Sequence, residues 1–416
     1  MKKTICLALA FLVLLCALLS GCRTKDDPAQ TQEADGGTSG TDASVGQADC
    51  EVLPDHRNIT PSGEHSVRML FLNVGKGDAI LFSVDGDGWL IDTGTAATLP
   101  MLAAGMKLLG LDALRGVFIT HTDSDHTGGL RDFLALYPAD AVYTSTISAD
   151  WDKVEKLRGQ TPRIALDPGA VVKAGEGVWF EAIGPIRYNP RDDNNSLVLR
   201  LRVNGAVCLF CGDMMTDEEK TLMYAGMDLD CDLLKVGHHG KKDATSESFL
   251  AETSPSVAVI CGNKAEESDA VHKSVVKLLN KAGAEVFVTE DVTAAWEAVI
   301  LADGRIRMEE AELPAVPAVR FASVSKSEQL VVLENAEGED VDLSGWWIYS
   351  ETGNDLFRFP DGSVIPAGGT LSVGCTDYEG VPDLRWNEGK VWHRTKEDRA
   401  VLIDPWGSRA DVAPSE

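Results

Sequence analysis

The segment Thr120-His121-Thr122-Asp123-Ser124-Asp125-His126-Thr127-Gly128-Gly129 decides how this chain is interpreted, because it concentrates two histidines and two aspartates in one short stretch. It follows the apolar run 116–119, which predicts a buried strand, and it precedes 130–134, which predicts a helix. A strand that ends in a Gly-Gly turn before a helix is a place where α/β folds present ligands. The segment therefore predicts a functional site at the edge of a sheet.

The spacing within the segment indicates metal binding. His121 and Asp123 are one residue apart, as are Asp123 and Asp125, and alternate side chains of an extended loop point the same way. One of these pairs would hold one cation, and Asp125 with His126 would hold a second about 3.5–4 Å away, as two-metal hydrolases require. We therefore predict a binuclear metal centre.

The pattern His-x-Asp-x-Asp-His-x-Gly-Gly resembles the metal motif of the metallo-β-lactamase superfamily, and it is most similar to the branch typified by the hydrolase domain of competence proteins of the ComEC type. This resemblance implies an α/β fold, a four-layer αββα sandwich, which we place at residues 63–312. It also implies a hydrolase with two divalent metal ions, Zn or Mn, and a hydroxide that bridges them.

Other motifs of this branch follow in the expected order, with three replacements by lysine. Val-Gly-Lys76-Gly-Asp-Ala resembles the branch's Val-Gly-Gln-Gly-Asp-Ala. His238-His239-Gly-Lys241 resembles His-His-Gly-Ser, and His272-Lys273 resembles His-Pro. The resemblance implies six metal ligands, which are His121, Asp123, Asp125, His126, Asp213 and His272.

The resemblance also implies a role for each of these residues. His121 and Asp123 would serve one cation. The other cation would be bound by the set Asp125, His126 and His272, and Asp213 would bridge both.

Catalysis is assigned to Asp125 and to the histidine pair. His238 would contact the transition state and give a proton to the leaving group, with His239 in support, but the sequence leaves open which of the two is catalytic. Asn195 either contacts a metal or substrate oxygen through its amide or belongs to an Asn-rich turn before a strand.

The N-terminal region has the sequence pattern of an export signal. Residues 1–22 combine Lys2-Lys3 with a short apolar core and end in Leu19-Ser20-Gly21-Cys22, which resembles a bacterial lipoprotein box. We expect lipidation of Cys22 and a protein that is anchored on the extracellular face of the cell membrane. Residues 23–62 are small, polar and acidic, which predicts a disordered linker.

The C-terminal region differs from the rest of the chain. From Ala318 short alternating segments are separated by Gly and Pro, which predicts an all-β sandwich over 318–416. Leu343-Ser344-Gly345-Trp346 and Asp404-Pro405-Trp406-Gly407 resemble the lamin-tail domain and imply an immunoglobulin-like sandwich whose partner the sequence does not give. We expect this domain to be independent of the first, so that its removal leaves turnover of small substrates unchanged.

Composition restricts the function. The formal net charge is -27, which opposes tight non-specific binding of nucleic acid unless metals or local patches compensate. We predict a phosphodiesterase or nuclease whose substrate is a phosphodiester, with DNA among the candidates. The alternatives are a lactone or ester hydrolase of the same fold and a non-catalytic surface adhesion protein.

Overall fold

The structure is a computed structural model, and it describes residues 52–53, 64–148, 150–393 and 395–414. The predicted signal segment 1–22, the predicted lipidation site Cys22 and nearly all of the predicted linker 23–62 lie outside the described residues. Within the described part, no helix combines the length and the apolar composition needed to cross a membrane.

The first part of the described chain alternates strands and helices. Its strands are β1 (Val52–Leu53), β2 (Val67–Leu72), β3 (Ile80–Val84), β4 (Asp87–Ile91), β5 (Gly116–Phe118), β6 (Val142–Ser145), β7 (Arg163–Leu166), β8 (Val171–Gly175), β9 (Val178–Gly184), β10 (Val198–Val203), β11 (Ala206–Phe210), β12 (Leu233–Lys235), β13 (Val257–Ile260), β14 (Glu285–Val288), β15 (Ala295–Ile300) and β16 (Ile306–Glu310). Its helices are α1 (Leu99–Leu109), α2 (Ser124–Thr127), α3 (Leu130–Leu136), α4 (Trp151–Leu157), α5 (Thr216–Tyr224), α6 (Glu247–Thr253) and α7 (Lys273–Ala282).

These strands form two eight-stranded sheets among the described residues, in the orders β16-β15-β2-β3-β4-β5-β6-β7 and β1-β8-β9-β10-β11-β12-β13-β14. Strand residues alternate between the two faces of a sheet, so Phe71 and Phe82 point toward the other sheet, where they meet Phe180 and Phe210. Because both faces of each sheet are covered, inner strands such as β3, β11 and β13 are almost entirely apolar.

Helices cover the outer faces of both sheets. Leu70 and Leu81 of the first sheet pack with residues of α1 and α3, and Leu209 and Leu234 of the second sheet pack with residues of α5, α6 and α7. The predicted αββα sandwich is therefore confirmed.

The polar segments of interest lie where strands of both sheets end. The chain leaves β5 toward His121, leaves β11 toward Asp213 and leaves β12 toward His238. The two sheets are joined at this edge by a hydrogen bond from the Leu197 backbone N–H to the Thr120 carbonyl, 2.8 Å long. Strand ends from two sheets therefore meet at one edge, which is where the candidate ligands collect.

The second part of the chain is all-β, as predicted. Its strands are β17 (Val319–Ser325), β18 (Leu330–Asn335), β19 (Val341–Asp342), β20 (Trp347–Ser350), β21 (Asp355–Arg358), β22 (Val364–Ile365), β23 (Thr370–Cys375), β24 (Leu384–Trp386), β25 (Arg399–Ile403) and β26 (Arg409–Pro414). They form the sheets β17-β18-β23-β24 and β21-β20-β25-β26, with a short β19-β22 pair. The sheets enclose Trp346, Trp386 and Trp392, so these tryptophans belong to the core.

The two domains share an apolar interface, which differs from the expected independence. Trp347, Val401 and Ile403 of the second domain lie in the same buried cluster as the α1 residues Leu99 and Met101. At the edge of this contact the ammonium of the α1 residue Lys107 lies 4.0 Å from the ring centroid of Trp406. The sequence could not show this contact, because an apolar face looks the same whether it is covered from within a domain or by a neighbouring one.

We predict that Ile403→Ser destabilises the catalytic domain as well as the sandwich. The substitution places a hydroxyl in the shared cluster and removes buried methyl groups, which costs about 2–4 kcal/mol and lowers the melting temperature by several degrees. Differential scanning calorimetry of the full chain measures this effect. Val412→Ser is the control, because Val412 is exposed on β26. An unchanged melting transition of the catalytic domain in Ile403→Ser would show that the domains are energetically independent.

Candidate metal centre

Asp92, at the end of β4, organises the loop that carries the metal motif. Its carboxylate accepts hydrogen bonds from the Thr120 backbone N–H at 2.8 Å and from the Thr120 hydroxyl at 2.7 Å. The same carboxylate accepts a hydrogen bond from His126 Nδ1 at 2.7 Å. Asp92 therefore orients a candidate ligand and the loop that carries it.

Three imidazoles of the centre are held in the same way. Each is almost fully buried, and each has its Nδ1 beside an oxygen: Thr120 Oγ1 lies 3.1 Å from His121, Asp92 Oδ2 lies 2.7 Å from His126, and the Cys261 carbonyl lies 2.9 Å from His239. Thr120 already donates its hydroxyl hydrogen to Asp92, so all three oxygens act as acceptors. In the neutral form of each ring, which metal binding requires, Nδ1 therefore carries the hydrogen and Nε2 carries the lone pair.

The three Nε2 atoms converge on one carboxylate. Asp213 Oδ2 lies 3.9 Å from His121 Nε2, 3.3 Å from His126 Nε2 and 3.1 Å from His239 Nε2. Ligand atoms at ordinary zinc distances in a tetrahedral site are about 3.3 Å apart, so these spacings match those of atoms that share a cation.

Several of these ligand atoms have no other partner. The Nε2 atoms of His121, His126 and His239 and the Oδ1 atom of Asp213 are buried and form no hydrogen bond. Buried polar atoms are costly unless they are satisfied, so four such atoms around one point indicate a missing positive centre. The residues therefore fit divalent cations.

The loop after β11 positions Asp213. Gly212 adopts a φ of 51°, and a Cβ at this residue would lie 2.9 Å from Thr120 Cβ and 3.0 Å from Ser196 Cβ. The Asp213 backbone N–H donates to Ser196 Oγ at 3.0 Å. The Gly212 carbonyl accepts a hydrogen bond of 2.9 Å from the ammonium of Lys235. The Gly-Asp motif thus needs the glycine for a close approach between the ends of the two sheets.

Two groups of ligands can be distinguished around Asp213. His121, Asp123 and Asp193 offer ligand atoms within 4.8 Å of one another, and so do Asp125, His126 and His239. Asp213 Oδ2 lies 3.9 Å from His121 Nε2 of the first group and 3.3 Å from His126 Nε2 of the second, so Asp213 could contribute to either group.

The structure places His239 where the sequence analysis expected His272. His239 lies in the ligand cluster, whereas His272 is the N-cap of α7 and its Nδ1 accepts a hydrogen bond from the Ser274 backbone N–H at 3.1 Å. The doublet His238-His239 contained a signal for this difference, because one residue of the pair follows β12 directly into the edge where ligands collect. In the structure His272 therefore caps a helix, and His239 takes a place among the candidate ligands.

The segment before β10 contributes Asp193 rather than Asn195. Asn195 is buried, and its side chain accepts from the Asn189 backbone N–H and donates to the Asn189 carbonyl at 2.7 and 2.9 Å. Its amide therefore holds the 189–195 turn, as the second of the two interpretations expected. Sequence reasoning missed Asp193 because a turn rich in Asp and Asn does not show which carboxylate points inward.

His238 lies at the rim of the centre. Its Nδ1 lies 2.9 Å from Asp243 Oδ1, and its Nε2 lies 3.1 Å from the ammonium of Lys241. Both His238 and His239 adopt positive φ values, 47° and 51°, which turn the adjacent rings in different directions. The backbone thus separates the pair into one inner ring and one rim ring.

A buried lysine lies beneath the carboxylates, and sequence reasoning missed its role. Lys235, at the end of β12, is fully buried and forms an ion pair with Asp78. Burial alone would lower the pKa of Lys235, but the carboxylates of Asp78 and Asp213 raise it above its usual value. The signal was a charged residue inside the apolar segment Leu233-Leu234-Lys235-Val236.

The carboxylates set the protonation of the metal-free centre. Burial and the neighbouring His126 lower the pKa of His121 to about 3. Burial also disfavours a charged ring at His126 and His239, but Asp213, with Asp92 at one ring and Asp125 at the other, raises both pKa values well above the usual value for histidine. Without a cation, therefore, protons occupy His126 and His239 at neutral pH.

We predict that His239→Ala lowers the metal content by one ion per chain, because it removes a ligand that faces Asp213. His272→Ala should retain the metal. It removes only the N-cap of α7, which lowers the free energy of unfolding by about 1 kcal/mol. Elemental analysis after dialysis compares the two variants. Loss of metal in His272→Ala together with full occupancy in His239→Ala would return His272 to the ligand set.

We also predict that metal loading releases protons. His126 and His239 have raised pKa values, so they hold protons below those values and must lose them before they can coordinate a cation. Metal affinity should therefore rise roughly tenfold or more per pH unit near neutrality and fall in acid. Titration calorimetry in buffers of different ionisation enthalpy counts the protons. Uptake without proton release at pH 7 would contradict the assigned protonation.

Comparisons with known proteins agree with this geometry. Residues 72–262 match the family model of the Metallo-beta-lactamase superfamily, and residues 314–414 match that of the Lamin Tail Domain. The chain is 27% identical over 205 residues to ComE operon protein 3 of Bacillus subtilis, which covers 47% of this chain and 26% of that protein. It is 30% identical over 217 residues to Recombination protein 2 of Haemophilus influenzae, which covers 50% of this chain and 26% of that protein.

The chain thus spans about a quarter of the length of these curated relatives. Among solved structures, the metallo-beta-lactamase fold protein YhfI from Bacillus subtilis is 16% identical with a TM-score of 0.42, over 56% of this chain and 99% of that one. The metal motif, the two sheets and the two family matches agree: residues 72–262 of this chain match the metallo-beta-lactamase superfamily and are similar to ComEC-like proteins, and residues 314–414 match the lamin tail domain.

Proposed function

We propose that this metal-dependent hydrolase is a phosphodiesterase, with a nucleic acid such as DNA as its substrate. The observation that carries the proposal is the convergence of unsatisfied histidine and aspartate atoms around Asp213. Two of the relatives are a ComE operon protein and a recombination protein, names that favour nucleic acid over other esters.

The donor set supports two cations. His121, Asp123 and Asp193 form one group, Asp125, His126 and His239 form the other, and Asp213 lies close to all three imidazoles. Carboxylate ligands suit Mn as well as imidazole ligands suit Zn, so this mixed set accepts either. Bound cations would generate a nucleophile from water near neutral pH and neutralise the charge that develops on a phosphoryl group.

The residues of the chain itself supply orientation and a proton. Asp92 and the Cys261 carbonyl fix the rings of His126 and His239 with their lone pairs toward the centre. His238 is the group that we assign to the leaving oxygen, because it lies at the rim and Asp243 Oδ1, 2.9 Å from its Nδ1, orients its ring. These positions keep the proton donor outside the ligand set.

A cleft between the two domains offers room for a long substrate. It has a volume of about 920 Å³, and Gly75 and Glu266 of the first domain line it together with Tyr349, Arg399 and Arg409 of the second. Gly75 directly precedes Lys76, whose ammonium lies 3.2 Å from Asp125 Oδ2, so the cleft reaches a loop that borders the metal centre. The lamin tail domain would thus take part in substrate binding. Anchoring at Cys22 on the extracellular face of the membrane remains part of this proposal and would place the cleft outside the cell.

We predict that the chain without residues 1–22, stripped of metal and reloaded with Mn or Zn, hydrolyses bis-p-nitrophenyl phosphate and single-stranded DNA. Asp125→Ala should lower kcat by about two to three orders of magnitude, since it removes a charged group from the reaction centre. Asp303→Ala is the matched control, because Asp303 lies in an exposed hairpin turn.

The other outcomes decide between the alternatives. Undiminished phosphodiesterase activity in Asp125→Ala would contradict the two-cation assignment. Cleavage of p-nitrophenyl acetate or a lactone without cleavage of either phosphodiester would establish the ester hydrolase instead. No turnover of any substrate with either metal would favour the surface adhesion protein.

A further inference from the structure

A single carboxylate is shared by two lysines at the rim of the metal centre. Glu267 Oε1 lies 3.3 Å from the ammonium of Lys76 and 2.9 Å from that of Lys241. Each lysine also contacts the centre itself. The ammonium of Lys76 lies 3.2 Å from Asp125 Oδ2, and that of Lys241 lies 3.1 Å from His238 Nε2. These three residues, Lys76, Lys241 and Glu267, are called the rim triad below.

Both lysines of the rim triad are features of this chain. Lys76 lies in the loop between β2 and β3, and Lys241 lies in the loop that follows β12. The chain as a whole has a formal net charge of -27. The positive charges of Lys76 and Lys241 therefore weaken the negative potential of the protein beside the metal centre. A polyanionic substrate is repelled by such a field unless local positive charge compensates. Two cations at the rim provide that compensation.

The single negative charge of Glu267 does not fully neutralise the two lysine ammonium groups. One of its oxygens contacts both ammonium groups, while the other, Oε2, is buried and forms no hydrogen bond. A phosphate group offers three oxygens and, as a monoester at pH 7, a charge of about -1.5 to -2, compared with one negative charge on Glu267. A phosphate would therefore match two lysines better than the carboxylate does.

Metal loading increases the positive charge of the rim. Asp125 is a proposed metal ligand, and a cation bound there would withdraw the carboxylate that Lys76 contacts in the metal-free centre. Lys76 would then keep its contact with Glu267, which it shares with Lys241. The side chains of Lys241 and Glu267 are each 15% exposed, and that of Lys76 is 40% exposed, so the rim triad can be reached from solvent.

We propose that Lys76 and Lys241 bind a second phosphate of the substrate, adjacent to the phosphodiester that is hydrolysed, and that Glu267 occupies this place until the phosphate arrives. This proposal rests on the proposed phosphodiesterase function and names its substrate class: nucleotides with at least two phosphates, of which one is not cleaved. When Lys241 turns to the phosphate, it leaves Nε2 of His238, and that nitrogen can then take a proton from solvent and pass it to the leaving oxygen.

The test compares two substrates that differ in one phosphate, the dinucleotide TpT and its 5′-phosphorylated form pTpT. In the wild type, kcat/KM should be about tenfold higher for pTpT, the gain expected from a charged hydrogen bond. Lys241→Ser should bring this ratio close to one, and Lys241→Arg should restore most of it. Lys220→Ser is the charge-matched control, because Lys220 lies on the exposed face of α5 and pairs with Asp217.

Glu267→Gln gives an independent prediction. It removes the competing negative charge, so the KM for pTpT should fall while that for TpT changes less. Lys76→Gln, which installs the residue of the related branch, should reduce the pTpT preference even if Lys241→Ser does not fold. A ratio in Lys241→Ser and Lys76→Gln that equals the wild-type ratio overturns the proposal.

A binding measurement separates failure of this proposal from failure of the proposed function. Titration calorimetry of the metal-loaded protein would compare thymidine 3′,5′-bisphosphate with thymidine 5′-monophosphate. Tighter binding of the bisphosphate to the wild type, lost in Lys241→Ser, supports the phosphate site even if neither dinucleotide is cleaved. Equal affinities in the wild type overturn it, whether or not the protein is a phosphodiesterase.

Discussion

The structure depends on one electrostatic constraint, which is the burial of Asp213 among three imidazoles. Burial of a carboxylate destabilises the folded state unless positive charge or hydrogen bonds compensate. In the metal-free centre, the protonated rings of His126 and His239 supply this positive charge. A bound cation would take their place. His126 and His239 approach Asp213 at 3.3 and 3.1 Å, and other oxygens hold both rings from behind. The site is therefore built in advance for a cation, and the remaining polar groups are arranged around that requirement.

The support beneath the centre is part of the same constraint. Lys235 places a permanent positive charge under the site, where it pairs with Asp78 and donates to the Gly212 carbonyl. It balances one buried carboxylate without using a ligand of the centre. Because the lysine extends from a strand of the core, this charge cannot move away when cations leave, which keeps the loop of Asp213 in place. Catalytic geometry and fold stability are thus linked through one buried ion pair.

The relation between the domains extends the site beyond the sandwich. The buried cluster that joins α1 to Trp347 and Ile403 fixes the lamin tail domain beside the loop of Lys76. The cleft that results combines residues of both domains. The sequence analysis treated the lamin tail domain as a separate module. In the structure this domain forms part of the wall of the proposed substrate site.

The sequence by itself determined the fold class and placed four candidate ligands in one loop. The alternation of apolar residues encodes strands and helices locally, and the His-x-Asp-x-Asp-His spacing brings four candidate ligands into one loop. Tertiary structure decided which distant residues complete the centre. His239 and Asp193 join it because strand ends from two sheets meet at one edge, while His272 caps a helix and Asn195 holds a turn. The contact between the domains was also decided by the tertiary structure, because the local spacing of residues carries no information about which surfaces meet in space.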